Sequence, residues 1–169
     1  MAEINSIGKT ACPKNAFFQG GTKVRKVGYK EVVPASGTIG DTRVLAGPFT
    51  SDHRINRILA NAMPALTTMA ANLGFWYRNQ SGALAKVTST NNTALWSAVS
   101  LATAVTTYSD ILTGKNSSLD NTKTIGQLLS IGADQEPYGG IYLVMETTAA
   151  PTAGGTLDLD IEVGDPTSK

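Results

Sequence analysis

The chain has 169 residues, the length of one domain, with 41% apolar and 16% charged residues and a formal net charge of +1. A charged fraction well below about a quarter, filled by Gly, Thr, Ser, Ala and Asn, suits short strands and turns and is unlike a helical protein rich in Glu and Lys; it is also too apolar for a wholly disordered chain. Near-neutrality argues against a global pull toward nucleic acid or anionic membrane. The lone Cys12 excludes an intramolecular disulfide, and no apolar run reaches the roughly 18 residues of a membrane span. The opening Met-Ala-Glu-Ile-Asn-Ser lacks the basic and apolar blocks of a signal peptide, so synthesis and assembly in a cytosol are expected.

Charge is unevenly placed. Through Arg57 there are nine basic and four acidic residues; beyond it there are five and nine. One reading is a dipolar surface. The other is head-to-tail contact with copies of the chain, or an arm laid on an acidic partner.

Residues 1–33 read as an extended N-terminal arm, and 34–169 as a β-sandwich domain. Asn15 to Gly21 holds an aromatic patch, Phe17 and Phe18, before a flexible glycine pair. Lys23, Arg25, Lys26 and Lys30 interleave with Val24, Val27, Tyr29 and Val32; the broken alternation predicts only a short or edge strand. Pro34 to Gly40 is a turn-rich link, and Val44-Leu45-Ala46 follows as a short apolar stretch. Ile55, Ile58 and Leu59 fit helical spacing, but the turns around Pro64 favour a strand there. Gly74-Phe75-Trp76-Tyr77 is the strongest β signal of the first half. Asn79 to Gly82 is a turn, and Leu84 to Val87 a short strand.

Thr93 to Leu112 is the one helix candidate, from Leu95, Val99, Ala102 and Val105 at helical steps; a pair of strands around Leu101 to Val105 is the rival. Gly114 to Asn121 reads as polar linker. Ile141 to Met145 is a continuous apolar run of core-strand length. Thr156 to Val163 alternates strictly, turning Leu157, Leu159, Ile161 and Val163 inward and Asp158, Asp160 and Glu162 outward. These last two strands are expected to form a hairpin, whose half-buried face requires a second layer.

Catalytic machinery is sparse. His53 is the single histidine, and its neighbours Ser51 and Asp52 point different ways and make no triad. His53 and Cys12 cannot supply a usual zinc site. The acidic face of Asp158, Asp160 and Glu162, spaced by roughly 7 Å per step, reads first as a solvated or salt-bridged face. An interfacial divalent ion or a glycosidase pair would need facing carboxylates. The glycine pairs fit no phosphate-binding loop. Trp76, Tyr77 and Trp96 suit a core or interface better than base or sugar stacking. The expectation is a non-enzymatic protein without cofactor or metal.

The C-terminal pattern, Gly140 to Met145, then the Thr/Ala/Gly loop Thr147 to Gly155, then Thr156 to Val163, resembles the closing strands of small structural proteins of tailed-bacteriophage heads. Gly74-Phe75-Trp76-Tyr77 and Leu129-Ser130-Ile131-Gly132 are similar to strands in the same proteins. The likeness spans residues 41 to 164. It implies an all-β, jelly-roll-like sandwich on the capsid surface of a virion, acting as a cement or decoration protein. The implied partners are the major capsid protein and the chain itself as dimer or trimer, with no membrane and no specific nucleic acid. Phe17, Phe18, Trp76 and Tyr77 would be its aromatic anchors, and Arg25 and Lys26 would meet an acidic shell surface. The Thr93 to Leu112 helix would depart from a minimal jelly roll. A carbohydrate-binding or fibre-like module using Trp76 and Trp96, another head or tail component, and a small hydrolase are the alternatives.

Overall fold

The computed structural model describes residues 3–4, 17–19, 22–61, 64–87, 96–104, 109–110 and 122–165. These form strands β1 (Glu3–Ile4), β2 (Phe17–Gln19), β3 (Thr22–Val33), β4 (Thr42–Phe49), β5 (Arg54–Ala60), β6 (Ala70–Arg78), β7 (Leu84–Lys86), β8 (Trp96–Ser100) and β9 (Ser109–Asp110). A short helix α1 (Ile125–Leu129) precedes β10 (Ile141–Ala149) and β11 (Gly155–Gly164).

The strands make two sheets. One has the order β1-β4-β10-β6-β7, with β8 also on β6; the other has the order β2-β3-β11-β5-β9. The pairings are nested. β3 pairs β11, β4 pairs β10, β5 pairs β9 and β6 pairs β8, all antiparallel. The first half of the chain thus lies against the second in reverse order, as one long hairpin. Successive pairs fall in alternate sheets, so the hairpin is rolled into a two-layer sandwich. That is the topology of a jelly roll, and it bears out the all-β sandwich expected from composition and strand pattern.

Apolar alternation explains the layering. In β11, Leu157, Leu159, Ile161 and Val163 are all fully buried. Ile141, Leu143 and Met145 of β10 and Ala71, Leu73 and Phe75 of β6 face them from the other sheet, in the same core. Each such Val, Leu, Ile, Met or Phe side chain contributes about 1.5–3 kcal/mol by leaving water. β10 and β11 each sit between two other strands of their own sheets.

Three expectations are corrected. β10 and β11 are not a hairpin: each belongs to a different sheet, and the loop 150–154 carries the chain across the sandwich. Thr93 to Leu112 contains no helix in its described residues; Trp96–Ser100 is β8 and Ser109–Asp110 is β9. Trp96, Val99 and Ser100 pair with β6, and Ser109 and Asp110 with β5, so tertiary pairing overrides a local helical spacing. Third, the basic run within 1–33 is no short strand. β3 has twelve residues, ten of them in register with β11, and so joins the sandwich. The linker Gly114 to Asn121 lies outside the described residues.

α1 has a reciprocal cap. Gln127 N–H donates to Thr124 Oγ1 at 3.2 Å, and Thr124 N–H donates to Gln127 Oε1 at 2.9 Å. Ile125 and Gly126 donate to the carbonyls of His53 and Ser51 at 2.8 Å each. A Cβ on Gly126 would stand 2.8 Å from Ser51 Cβ, so the helix can dock this closely only with glycine there.

Candidate functional site

The outer face of the β3–β11–β5 layer carries three ion pairs among the described residues. Register places Asp158 beside Lys30, Asp160 beside Gly28 and Glu162 beside Lys26 on β3, with Glu162 beside Arg57 on β5. Lys30 Nζ lies 2.9 Å from Asp158 Oδ2, Lys26 Nζ 3.6 Å from Glu162 Oε1, and Arg57 Nε 3.9 Å from Glu162 Oε2. Asn61 Nδ2 donates to Asp158 Oδ1 at 2.7 Å. Partial burial pushes the Asp158 carboxyl up, but the Asn61 amide and the Lys30 ammonium outweigh it and hold the group below its ordinary range. The uneven charge of the sequence therefore closes on itself here, a basic early strand lying on an acidic last one. Cations of the same chain face Asp158 and Glu162, and Asp160 stands beside Gly28 and Leu59, so the register sets none of the facing carboxylates that calcium or glycoside chemistry would require opposite them. Among the described residues, no three His, Cys, Asp or Glu side chains come together as a metal site.

A second polar group lies between the sheets, and sequence reasoning missed it. Glu31 of β3 points inward, as do Tyr29 and Leu159 beside it, and meets Arg43 of β4 in the opposite sheet. Arg43 Nε is 3.3 Å from Glu31 Oε2, with the arginine side chain 1% and the glutamate 9% exposed. Arg43 Nη1 donates to Thr147 Oγ1 at 2.9 Å, and Tyr29 Oη donates to Glu31 Oε2. The signal was the inward position of Glu31 in a strand whose alternation looked broken.

The expected anchors fall in different places. Trp76 is 3% exposed and packs with Val44 and Val144 on the outer face of the β4–β10–β6 layer. Lys86 Nζ lies 5.1 Å above its ring and 3.2 Å from Glu146 Oε1. The indole is thus covered, which removes the stacking face that a glycan or a partner would need. Tyr77 is half-buried. Phe17 and Phe18 lie in β2, with their backbones opposite Val24 and Lys23; their side chains, like that of Trp96, are outside the described set. Lys26 meets Glu162 as above, and Arg25 Nη2 is 3.7 Å from Asp165 Oδ1. Cys12 lies outside the described residues.

Ser51-Asp52-His53 forms the turn that seats α1. Thr50 N–H donates to His53 Nδ1 at 3.1 Å, with the Thr50 hydroxyl at 2.8 Å, and Ser51 N–H donates to Glu136 Oε1. Burial, then the Arg25 charge, lowers the His53 pKa, and Asp165 only partly offsets them. Near this end, Tyr77, Arg78, Asn79, Gln80, Ser81 and Tyr138 line an open groove of about 440 Å³. Asn79 Oδ1 accepts from the N–H groups of Ser81 and Ala83, which fixes the β6–β7 turn. The Tyr138 ring is fully exposed.

No family model matches this chain, and no curated protein matches it. A chain of the cyanophage Pam1 capsid asymmetric unit is similar over 96% of this chain and 100% of its own length, at 13% identity and a TM-score of 0.49. A likeness this slight carries no function across.

Proposed function

We propose that the chain is a structural, non-enzymatic virion protein that binds and stabilises the outside of a tailed-phage capsid as a cement or decoration subunit. The observation that supports this reading is the nested strand pairing. The segment that resembles phage-head proteins, Gly140 to Val163, supplies β10 and β11, each flanked on both sides by strands of its own sheet. Fold alone does not decide function, so the reading rests on that segment and that topology together. The chemistry of the sandwich agrees with a mechanical role: its described ion pairs hold strand to strand and sheet to sheet. β2 lies at the margin of its sheet, where Phe17 and Phe18 would anchor the subunit to the major capsid protein by strand-edge contact.

The test is to add purified protein to shells stripped of surface subunits and to count bound copies. Saturable binding at a fixed stoichiometry, with shells surviving more heat, is expected. Absence of binding would refute the reading. Unchanged occupancy after Phe17→Ala with Phe18→Ala would remove the arm from it.

The Tyr77–Tyr138 groove favours a second reading, a carbohydrate-binding or fibre-like module. Exposed tyrosine beside Asn, Gln and Arg can stack on a sugar ring and bond its hydroxyls. Glycan-array binding that Tyr138→Ala abolishes, with no shell binding, would establish it instead.

A further inference from the structure

Two turns border the groove at the end of β6. Asn79 Oδ1 accepts from Ser81 N–H at 3.0 Å, from Ser81 Oγ at 2.6 Å and from Ala83 N–H at 3.0 Å, which closes the turn after β6. Gly140 N–H donates to the Pro137 carbonyl at 2.8 Å, which closes a second turn with Tyr138 at its corner. That turn lies against β6: a Cβ on Gly139 would stand 3.3 Å from the Arg78 carbonyl. Of the described aromatic residues, Tyr138 alone is exposed. The groove of about 440 Å³ is therefore preformed, and a ligand entering it would not have to order its walls.

The polar groups fixed there are donors. The Arg78 guanidinium is held on two sides, by Nη1 donating to the Gly82 carbonyl at 2.8 Å and by the Tyr142 ring, whose centroid lies 5.6 Å from Cζ. A guanidinium carries its N–H groups in a fixed fork and accepts nothing. Asn79 has given its oxygen to the turn, so what it can offer a ligand is the Nδ2 amide, a donor. Among the described residues that line the groove, one is cationic and none is acidic. Such a set suits a neutral sugar poorly, because every hydroxyl has a proton to donate as well as lone pairs to offer. A carboxylate only accepts, and its charge makes each N–H bond to it stronger than one to a hydroxyl. The exposed Tyr138 ring supplies the remaining part, an apolar face on which a pyranose ring can lie.

We infer that the groove binds an acidic sugar, a pyranose bearing a carboxylate, as one residue of an anionic polysaccharide. The carboxylate meets Arg78 and the Asn79 amide while the ring lies on Tyr138. Gln80 and Ser81, exposed in the same turn, bond the ring hydroxyls. This rests on the second reading above, a carbohydrate-binding module, and names the class of sugar that such a module would take. A glycan groove and a shell contact can reside on one subunit, so binding to shells does not decide it.

The experiment is titration calorimetry of the full chain against oligomers of galacturonate, mannuronate and glucuronate, and against the same oligomers with their carboxyl groups reduced to alcohols. At least one uronide is expected to bind, to weaken with added salt, and to lose about ten-fold or more in affinity on reduction. Gln80→Glu, a near-isosteric change at an exposed position, sets a carboxylate in the groove; it should weaken the uronide by about ten-fold and leave the reduced form unaffected. Tyr138→Ala should weaken both forms, and circular dichroism confirms that each variant is folded. Equal binding of the reduced oligomer, or a uronide affinity indifferent to Gln80→Glu, would overturn the acidic-sugar proposal and leave the carbohydrate reading standing. Polyaspartate binding as tight as the uronide's and untouched by Tyr138→Ala would overturn it too, as charge alone would then be read. No binding of any oligomer, acidic or reduced, at millimolar concentration would remove the proposal and the carbohydrate reading together.

Discussion

Arg43 is among the largest side chains that the fold removes from water, and its charge is answered across the core by Glu31. A guanidinium in that position is tolerated only because a carboxylate and the Thr147 hydroxyl face it. Removing one partner leaves the other charge buried and unanswered. Glu31→Ala is therefore expected to cost about 3–5 kcal/mol, read as a drop in the urea midpoint with the slope unchanged. Arg43→Met combined with Glu31→Leu replaces both charges by apolar groups of similar bulk, and should recover most of that loss. If the single and double variants are equally unstable, the pair is not what the surrounding residues depend on. The cost belongs to this one contact, which joins β3 to β4 where the chain passes from one sheet to the other.

At the scale of the strand, β11 carries two kinds of information on its two faces. The inner face supplies core area, and Leu159→Ala should cost about 2–5 kcal/mol. The outer face supplies register. Lys30→Glu would set a carboxylate against Asp158, yet Lys30 is largely exposed, so water and salt limit the cost to about 0.2–1 kcal/mol. The clearer readout is the Asp158 carboxyl itself, whose pKa should rise in Lys30→Glu as the neighbouring ammonium is lost. Carboxyl-carbon NMR against pH measures it; the charge-swapped variant Lys30→Glu with Asp158→Lys has no Asp158 carboxyl and is read by its urea midpoint, which should return to that of the wild type. The same strand was the most legible in the sequence, because apolar and acidic residues alternate without exception. β3 was not legible, for a physical reason: its inward positions include Glu31, which finds Arg43 inside the fold, and Arg25, which pairs with Asp165 at the solvent-accessible end of the strand, so its alternation looks broken. Around β8, Leu95 and Val99 stand at a helical step in an alanine-rich run, and nothing local reveals that Val99 is needed opposite Ala71. The candidate surfaces divide similarly. The acidic face was visible and its lysine partners were not, while Trp76 was visible as an aromatic but not as a covered one.

For the molecule as a whole, the nested pairing decides what must form together. Consecutive strands more often than not are neighbours, which is why β10 and β11 read as a hairpin. Instead β11 reaches back to β3, across almost the entire chain, and β10 reaches back to β4 and β6. Such distant pairings carry the full entropy of closing the chain before any contact is rewarded, so folding is expected on a milliseconds-to-seconds scale. They also make the two ends of the sequence unequal. Removing residues 1–16 takes from the described strands only the two-residue β1 at a sheet margin. Removing residues 155–169 takes β11, which is paired on both sides and buries four core side chains. Urea unfolding followed by circular dichroism should show one cooperative transition for the first truncation and none for the second. A C-terminal truncation that still unfolded cooperatively would mean that β3 and β5 can close the layer without the strand between them, and that the nested hairpin is not the unit that folds.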